Sequence, residues 1–517
     1  MREGYGDGNV LNDARLIADD AAGSTVASMM RWTITLQACA LFLALAGTAP
    51  AAGQAPALQT RIEAKLAEAG PGPRFGLVAA TEDGRELVAI APDGRFIPGS
   101  NTKIFTTAAA FAILPGLDGP DSDGGASVRL EAGVRGAPDV VIEGRGDARL
   151  SSDPGCTQDC LATLADAVAA RTRKVGDVVG DDSLFPDQRW SPGMSWNNIP
   201  TRSGTAVSAL SLDDNELRLL VTPTLPGKPP NLDLLPYYGV DNRAMTVAAG
   251  PAALAFDRLP GSRVLRLTGT IAAGAEPEPL RLGIDDPAEY AAWRLKALLE
   301  ARGIKVLGSV AVRHRPLRPA DDPALRDGAP PARAPQPEPL ARLVPPPLAA
   351  DLALTSKVSQ NLHAELLLRR IGREQGTGSI ADGLAAVRAM LAQAGLPRTG
   401  YDLSDGSGMS SYNRISPRAM VLFLRWAAGQ PWGPAWRSTL PVGGVDGTLA
   451  RRFRGTALEG RIFAKTGTLN ASNAIAGYMT ARSGRTLLFA AFANDVPEGV
   501  GATDAMDASL VLIAEAN

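Results

Sequence analysis

Ser100-Asn101-Thr102-Lys103 follows Pro98-Gly99 and opens an unbroken apolar run, Ile104-Phe105-Thr106-Thr107-Ala108-Ala109-Ala110-Phe111-Ala112-Ile113. With no Gly or Pro inside it, this run reads as a buried helix that begins close to Ser100. Helix positions i and i+3 share a face, so a hydroxyl at 100 and an amine at 103 lie side by side within the first turn. A serine hydroxyl is a weak nucleophile until a neighbouring base takes its proton, and the usual base is scarce here. The 517 residues include two histidines, His314 in an Arg/Pro-rich stretch and His363 in a helical run. Lysine is therefore the expected base. The positive end of the helix dipole and apolar packing by Ile104 and Phe105 both disfavour an ammonium at 103. Taken alone, S-x-x-K equally describes an N-capping serine followed by a surface lysine.

Two later stretches complete the pattern. Ser359-Gln360-Asn361 stands at the start of, or inside, a helical run from about Ala349 to Ile371 that carries Lys357, Asn361 and Glu365 at four-residue spacing. Such spacing makes a polar helix face; in a catalytic reading it supplies a second hydroxyl to relay a proton and an amide to orient the substrate carbonyl or Lys103. Lys465-Thr466-Gly467-Thr468 follows the apolar strand residues Ile462-Phe463-Ala464. Its glycine either leads into a turn or lets another backbone approach closely. An extended peptide can pair along such a strand, with Lys465 offering charge to a substrate carboxylate.

Outward from these motifs, Leu58, Ile62 and Leu66 mark an amphipathic helix, and Phe75–Ala80 and Glu86–Ile90 mark two strands around an Asp83-Gly84 turn. From about 114 to 335 the texture changes to short β-like runs: Asp139–Ile142, Ala206–Leu212, Leu217–Val221 and Val264–Leu267. Helices are expected near 159–172 and 287–302. A Pro/Arg-rich connector from Arg313 to Pro347 carries too many prolines for regular structure. Helices return over 349–371, 380–394 and 417–428, followed by strands at 461–466, 472–480 and 486–493 and a terminal helix. The reading is an α/β (α+β) fold with an antiparallel sheet flanked by helices. Residues 57–113 and 336–517 form one discontinuous domain, and 114–335 a mainly β insertion of one or two nested subdomains.

The length suggests two to four domains at about 100 to 200 residues each. A net charge of −2 argues against a nucleic-acid surface. Met29-Met30-Arg31, the apolar run Trp32–Ala46 and the small residues Gly47-Thr48-Ala49-Pro50-Ala51 read as a signal peptide over 29–51, cleaved near Ala51. Residues 1–28 are polar and patternless, as expected of a non-native extension ahead of the true start. The apolar run is shorter than the roughly 20 residues of a spanning helix, so membrane association is peripheral at most. Cys39 leaves with the leader. Cys156 and Cys160 remain, as a small disulfide loop in an oxidising compartment or as two buried thiols. No cysteine or histidine spacing suits a structural metal, and no cofactor is called for.

The order S-x-x-K, S-x-N, K-T-G is the signature of penicillin-binding proteins and class A β-lactamases, here with S-Q-N in the middle. The chain resembles, more closely, the low-molecular-mass class C penicillin-binding proteins, the exported D-alanyl-D-alanine carboxypeptidase/endopeptidases that trim peptidoglycan. Further landmarks are Gly146-Asp147-Ala148-Arg149-Leu150-Ser151, Val179–Ser183 with Trp190, Ala206–Asn215, Asp405-Gly406-Ser407-Gly408-Met409-Ser410 and Leu440–Leu449. The long insertion separates this family from β-lactamases. The resemblance implies Ser100 as acylated nucleophile, Lys103 as its base, Ser359 and Asn361 as relay and orienter, and Lys465 as carboxylate binder. It also implies substrate contacts from Thr466, Gly467 and Thr468, and an oxyanion hole from the N–H groups of Ser100 and Thr468. The Asp405–Gly408 loop is either a tight structural turn or part of the site. Where relatives often carry acidic residues after the second tryptophan, this chain has Asn197 and Asn198. The implied activity is hydrolysis of D-Ala-D-Ala, and of D-Ala cross-links, in the periplasm, with β-lactams as covalent inhibitors. Rival readings are a β-lactamase or esterase of the same superfamily and an idle peptidoglycan-binding scaffold. An α/β-hydrolase lacks support, since no G-x-S-x-G elbow is present.

Overall fold

Strands that are apolar on both faces need helices on both sides, and this requirement organises the central sheet. In the computed structural model, which describes residues 57–517, its strands are β1 (Arg74–Thr81), β2 (Glu86–Ile90), β3 (Ile462–Thr468), β4 (Asn473–Thr480) and β5 (Thr486–Asn494). The leader, its cleavage site, the 1–28 extension and Cys39 lie outside the described residues. The order is β3-β4-β5-β1-β2, antiparallel throughout. Along β5, Leu488, Ala490 and Phe492 face one way, while Leu487, Phe489 and Ala491 face the other. The helices are α1 (Leu58–Ala67), α2 (Lys103–Ile113), α3 (Leu348–Lys357), α4 (Asn361–Glu374), α5 (Ile380–Gln393), α6 (Pro417–Ala428) and α7 (Ala502–Ala516). Ile62 and Leu66 of α1 and Met506 and Leu510 of α7 cover one face; α2 to α6 cover the other. Phe105 of α2 meets Phe423 of α6 edge-on at 4.9 Å, which seats the helix that follows Ser100 in that layer. The antiparallel sheet between helices is the architecture expected from the sequence.

The expected helix over 349–371 is divided. Ser359 takes φ +63°, a left-handed conformation that a right-handed helix cannot pass through, so α3 ends at Lys357 and α4 starts at Asn361. Lys357 consequently leaves the face of Asn361 and donates to Leu440 O and Asp446.

Between α2 and α3 the chain builds further sheets with helices of their own. A five-stranded sheet runs in the order Val310–Arg315, Val178–Pro186, Asp139–Glu143, Ser127–Glu131, Ala341–Arg342. Helices Leu161–Arg171 and Pro287–Ala301 fall where the sequence placed them, and one contiguous apolar cluster joins them to the strands. Three details differ from the sequence reading. Ala206–Leu212 forms no ladder beyond a single bridge at Leu210, because Asn215 takes up the Ala206 carbonyl and Ser208 turns to Asp182. Arg313–Arg315, the start of the expected irregular connector, completes the strand Val310–Arg315, which stops before Pro316. Ala341–Arg342, past the expected boundary at 335, pairs with Ser127–Val128. Of the two alternatives for Cys156 and Cys160, the disulfide is formed.

The insertion grips α4 in two ways. Leu184, Phe185 and Val207 pack on Leu362 and Leu366. Beside them buried His363 lies between Asp351 of α3 at 2.5 Å and Asp214 of the insertion at 2.8 Å. Burial alone would depress its pKa, but Asp351 and then Asp214 override this and push it up to about 10. A pKa raised above the unfolded value of 6.5 contributes stability that is fully present below pH 6.5 and lost as pH rises through about 10. His363→Ala is expected to lower stability at pH 7 by about 3 kcal/mol, the low end for a broken buried pair because Asp214 is partly exposed. Urea midpoints across pH check this: the deficit should narrow as pH rises through the folded pKa.

Candidate active site

Ser100 sits in a 3-10 turn, Gly99–Thr102, that leads into α2, so the nucleophile candidate precedes the α-helix by one turn. The i, i+3 relation survives: Lys103 Nζ lies 3.0 Å from Ser100 Oγ. Lys103 is completely buried, and its Nζ also donates to Asn361 Oδ1 and to the Ser407 carbonyl, both at 2.6 Å. A carbonyl oxygen only accepts, so these two partners consume both hydrogens of a neutral amine. The lone pair is then left facing the serine hydroxyl. Burial pulls the Lys103 pKa down to about 7, against the opposing pull of Asp405 and Glu365. Of the two causes expected from the sequence, apolar burial is the one that lowers it.

The Asp405–Gly408 loop belongs to this site through its backbone. Gly408 has φ +91°, and a Cβ there would collide with the Gly99 carbonyl, so a side chain would push the loop off the nucleophile turn. Asp405 holds the loop closed by accepting from the N–H groups of Gly408 at 2.9 Å and Ser410 at 2.6 Å and from Asn413 Nδ2 at 2.6 Å. Glu365, one turn along α4 from Asn361, accepts from the N–H groups of Gly406 and Ser407.

A second hydroxyl and amine stand opposite. The left-handed turn at Ser359 brings its Oγ to 2.9 Å from Lys465 Nζ, which also donates to the Thr466 carbonyl. Lys465 is buried; burial first, and the proximity of Lys103 second, hold its pKa well below the ordinary value. Asn361 joins the insertion to the site by donating from Nδ2 to the Ser203 carbonyl at 2.9 Å.

Lys465-Thr466-Gly467-Thr468 lies on β3, the edge of the sheet. The start of that edge is occupied: Ala464 N–H donates to Pro441 O, and Gly443 N–H to Ile462 O. The stretch beyond Ala464 runs beside the nucleophile turn. There a Cβ on Gly467 would collide with the Pro98 carbonyl, and Asn101 Nδ2 donates to Lys465 O at 3.1 Å. Thr466 donates to Thr448 Oγ1 at 2.8 Å, and Thr468 is exposed. Ser100, Lys103, Ser359, Asn361 and Lys465 are thus brought together, with Thr466, Gly467 and Thr468 on the adjoining edge. Sequence reasoning left the Asp405–Gly408 loop open, noted Glu365 only for its spacing, and missed Asn101 and Thr448 as contributors. Ser407 acts through a carbonyl, which leaves no residue-type signature, whereas the Glu365 spacing was visible.

Residues 58–515 match the profile of the D-Ala-D-Ala carboxypeptidase 3 (S13) family. The chain is 34% identical over 459 residues to a D-alanyl-D-alanine carboxypeptidase of Actinomadura sp. (strain R39), covering 85% of this chain and 80% of that one. It is 28% identical over 468 residues to carboxypeptidase DacB of Mycolicibacterium smegmatis, covering 88% and 83%. The crystal structure of penicillin binding protein 4 (dacB) from Haemophilus influenzae shares the fold, with a TM-score of 0.71 at 22% identity over 87% of this chain and 97% of that one. A fold and motif set of this kind define a low-molecular-mass class C penicillin-binding protein. The chain belongs to the D-Ala-D-Ala carboxypeptidase 3 (S13) family and is a peptidase.

Gly467→Ala is expected to keep the fold but slow labelling by a fluorescent penicillin about 10²-fold, since it moves the strand edge away from the turn that holds Ser100. Gel-based labelling rates against melting temperature check this.

Proposed function

We propose that this chain is a serine-type D-alanyl-D-alanine carboxypeptidase that trims peptidoglycan stem peptides through an acyl-enzyme on Ser100, that it also cuts D,D cross-links, and that β-lactams acylate the same serine. The observation that carries this reading is the Lys103 amine, buried and held by two pure acceptors with its third position on Ser100 Oγ. In the first step Ser100 gives its proton to Lys103 while Oγ bonds to the penultimate D-Ala carbonyl carbon. The oxyanion forms between the N–H groups of Ser100 and Thr468. The substrate pairs along β3 beyond Ala464, and its terminal carboxylate lies against Lys465, where a negative charge favours the ammonium form that burial otherwise disfavours. The C–N bond then breaks, and the proton that Lys103 took from Ser100 is relayed through Ser359, itself hydrogen-bonded to Lys465, to the departing D-Ala amine, which leaves Lys103 neutral. Lys103, neutral again, takes a proton from water as the water oxygen bonds to the acyl carbon, and returns that proton to Ser100 Oγ as the acyl–serine bond breaks. Cross-link cleavage differs only in the leaving amine, which then belongs to a neighbouring stem.

The leader read over 29–51 supports export, as does the Cys156–Cys160 disulfide, a bond that persists in oxidising compartments. The β-lactamase and scaffold rivals are separated from this reading by the fate of the acyl-enzyme. This reading expects a long-lived penicilloyl adduct together with release of D-alanine from muropeptides; rapid turnover of penicillin, or sacculus binding without D-alanine, would favour the rivals.

Ser100→Ala is expected to abolish both penicillin labelling and D-alanine release, read by fluorescence and by mass spectrometry of muropeptides. A base that works only when unprotonated gives an acylation rate that rises with pH and levels off above the base's pKa. With Lys103 lowered to about 7, the rate of labelling is expected to climb through that pH. A rate that is flat or falling there would assign the base elsewhere.

A further inference from the structure

Glu365 is a buried carboxylate that none of the three motifs contains. Its Oε1 accepts from two consecutive backbone N–H groups, Gly406 and Ser407, at 2.9 Å each. On the other side of the same peptide unit, Thr106 of α2 donates its hydroxyl to the Gly406 carbonyl at 2.7 Å. The unit is therefore pinned at its oxygen by α2 and at its N–H by α4. The next carbonyl in the chain, Ser407 O, is the one that holds Lys103 Nζ at 2.6 Å. Helix α4 thus supplies one acceptor for the amine directly, through Asn361, and fixes the other through Glu365.

The charge of Glu365 needs a separate account, because an amide oxygen would bind the two N–H groups as well. Its Oε2 has no hydrogen-bond donor although it is buried, and Nη1 of Arg369, one turn further on, is buried and unpartnered too. Interior polar atoms left so are costly to keep. The charged groups around the amine are Asp405 and Glu365, which both favour its ammonium form, and Lys465, which opposes it. Asp405 and Arg369 act in turn on Glu365, and burial followed by Asp405 raises its pKa.

We infer that Glu365 is a positioning residue of the proton-transfer step: it aims the Ser407 carbonyl that orients the Lys103 amine toward Ser100, and it sets a buried carboxylate behind that amine. This inference rests on Lys103 being the base of Ser100. It goes further by placing the tuning of that base in a residue outside every motif.

The test measures the rate of acylation by a fluorescent penicillin from about pH 5 to 9, a range that brackets the base, in the wild type, Glu365→Gln and Glu365→Ala. Glu365→Gln keeps an acceptor for the two N–H groups and loses the charge. Its rising limb is expected at lower pH than in the wild type, because less negative charge holds the proton on Lys103. Glu365→Ala also releases the loop, and its plateau rate is expected to fall about 10²-fold with little change in affinity before acylation. A wild-type limb and plateau in Glu365→Gln would overturn the inference. So would losses in both variants that only track the unfolded fraction measured by thermal melting. Should Glu365→Ala fail to fold, the Glu365→Gln limb decides alone. Absence of labelling at Ser100 in the wild type would instead defeat the underlying assignment of nucleophile and base.

Discussion

One buried amine governs the organisation of this protein. Lys103 is sealed from water, and an ammonium so placed is costly unless it is fully paired. Its surroundings meet this demand only in part: two carbonyl-type oxygens and a hydroxyl make direct contact, and two carboxylates stand further back. The outcome is a lysine poised near neutrality. Every element that approaches it brings one part of that environment: α2 carries the amine, α4 carries Asn361, and the Asp405–Gly408 loop presents a carbonyl. β3, with its own buried lysine, closes the other side.

This constraint explains several local departures from regular structure. Helical geometry through Ser359 would continue α3 into α4 and leave the serine on the wrong side of the chain; the left-handed residue, at a cost of about 1 kcal/mol or more, turns its hydroxyl to Lys465 instead. Gly408 and Gly467 are needed because loop and strand both press against the turn that holds Ser100. The insertion takes part as well. Ser203 accepts from Asn361, and Asp214 reaches His363 two residues later, so the segment between α2 and α3 steadies the start of α4.

The architecture was legible where periodicity and breakers are unambiguous. Both N-terminal strands, the three C-terminal ones and the helices at 161–171 and 287–301 follow from the amino acids alone, because short continuous apolar runs mark the strands and helically spaced apolar residues mark the helices. The five motif side chains were legible because hydroxyl, amine and amide in fixed order admit few other chemistries. What was not legible is contributed by backbone. Nothing in residue type announces that the Ser407 carbonyl holds an amine 304 positions away, or that Ser359 breaks a run of good helix formers. Ala206–Leu212 resembles a strand in composition, yet side-chain hydrogen bonds from Asn215 and Ser208 take the place of a ladder. The sheet segment at Ala341–Arg342 is too short to carry a period and is recognised only through its partner strand.

The central claim is that a substantial share of the amine at 103 is unprotonated near neutral pH. The most direct test is an NMR titration of lysine labelled at Cε, with the Lys103 and Lys465 resonances assigned from single Lys→Met variants. The account predicts that the Lys103 signal titrates near pH 7. A Lys103 that stays charged until the ordinary lysine value of 10.5 would contradict it.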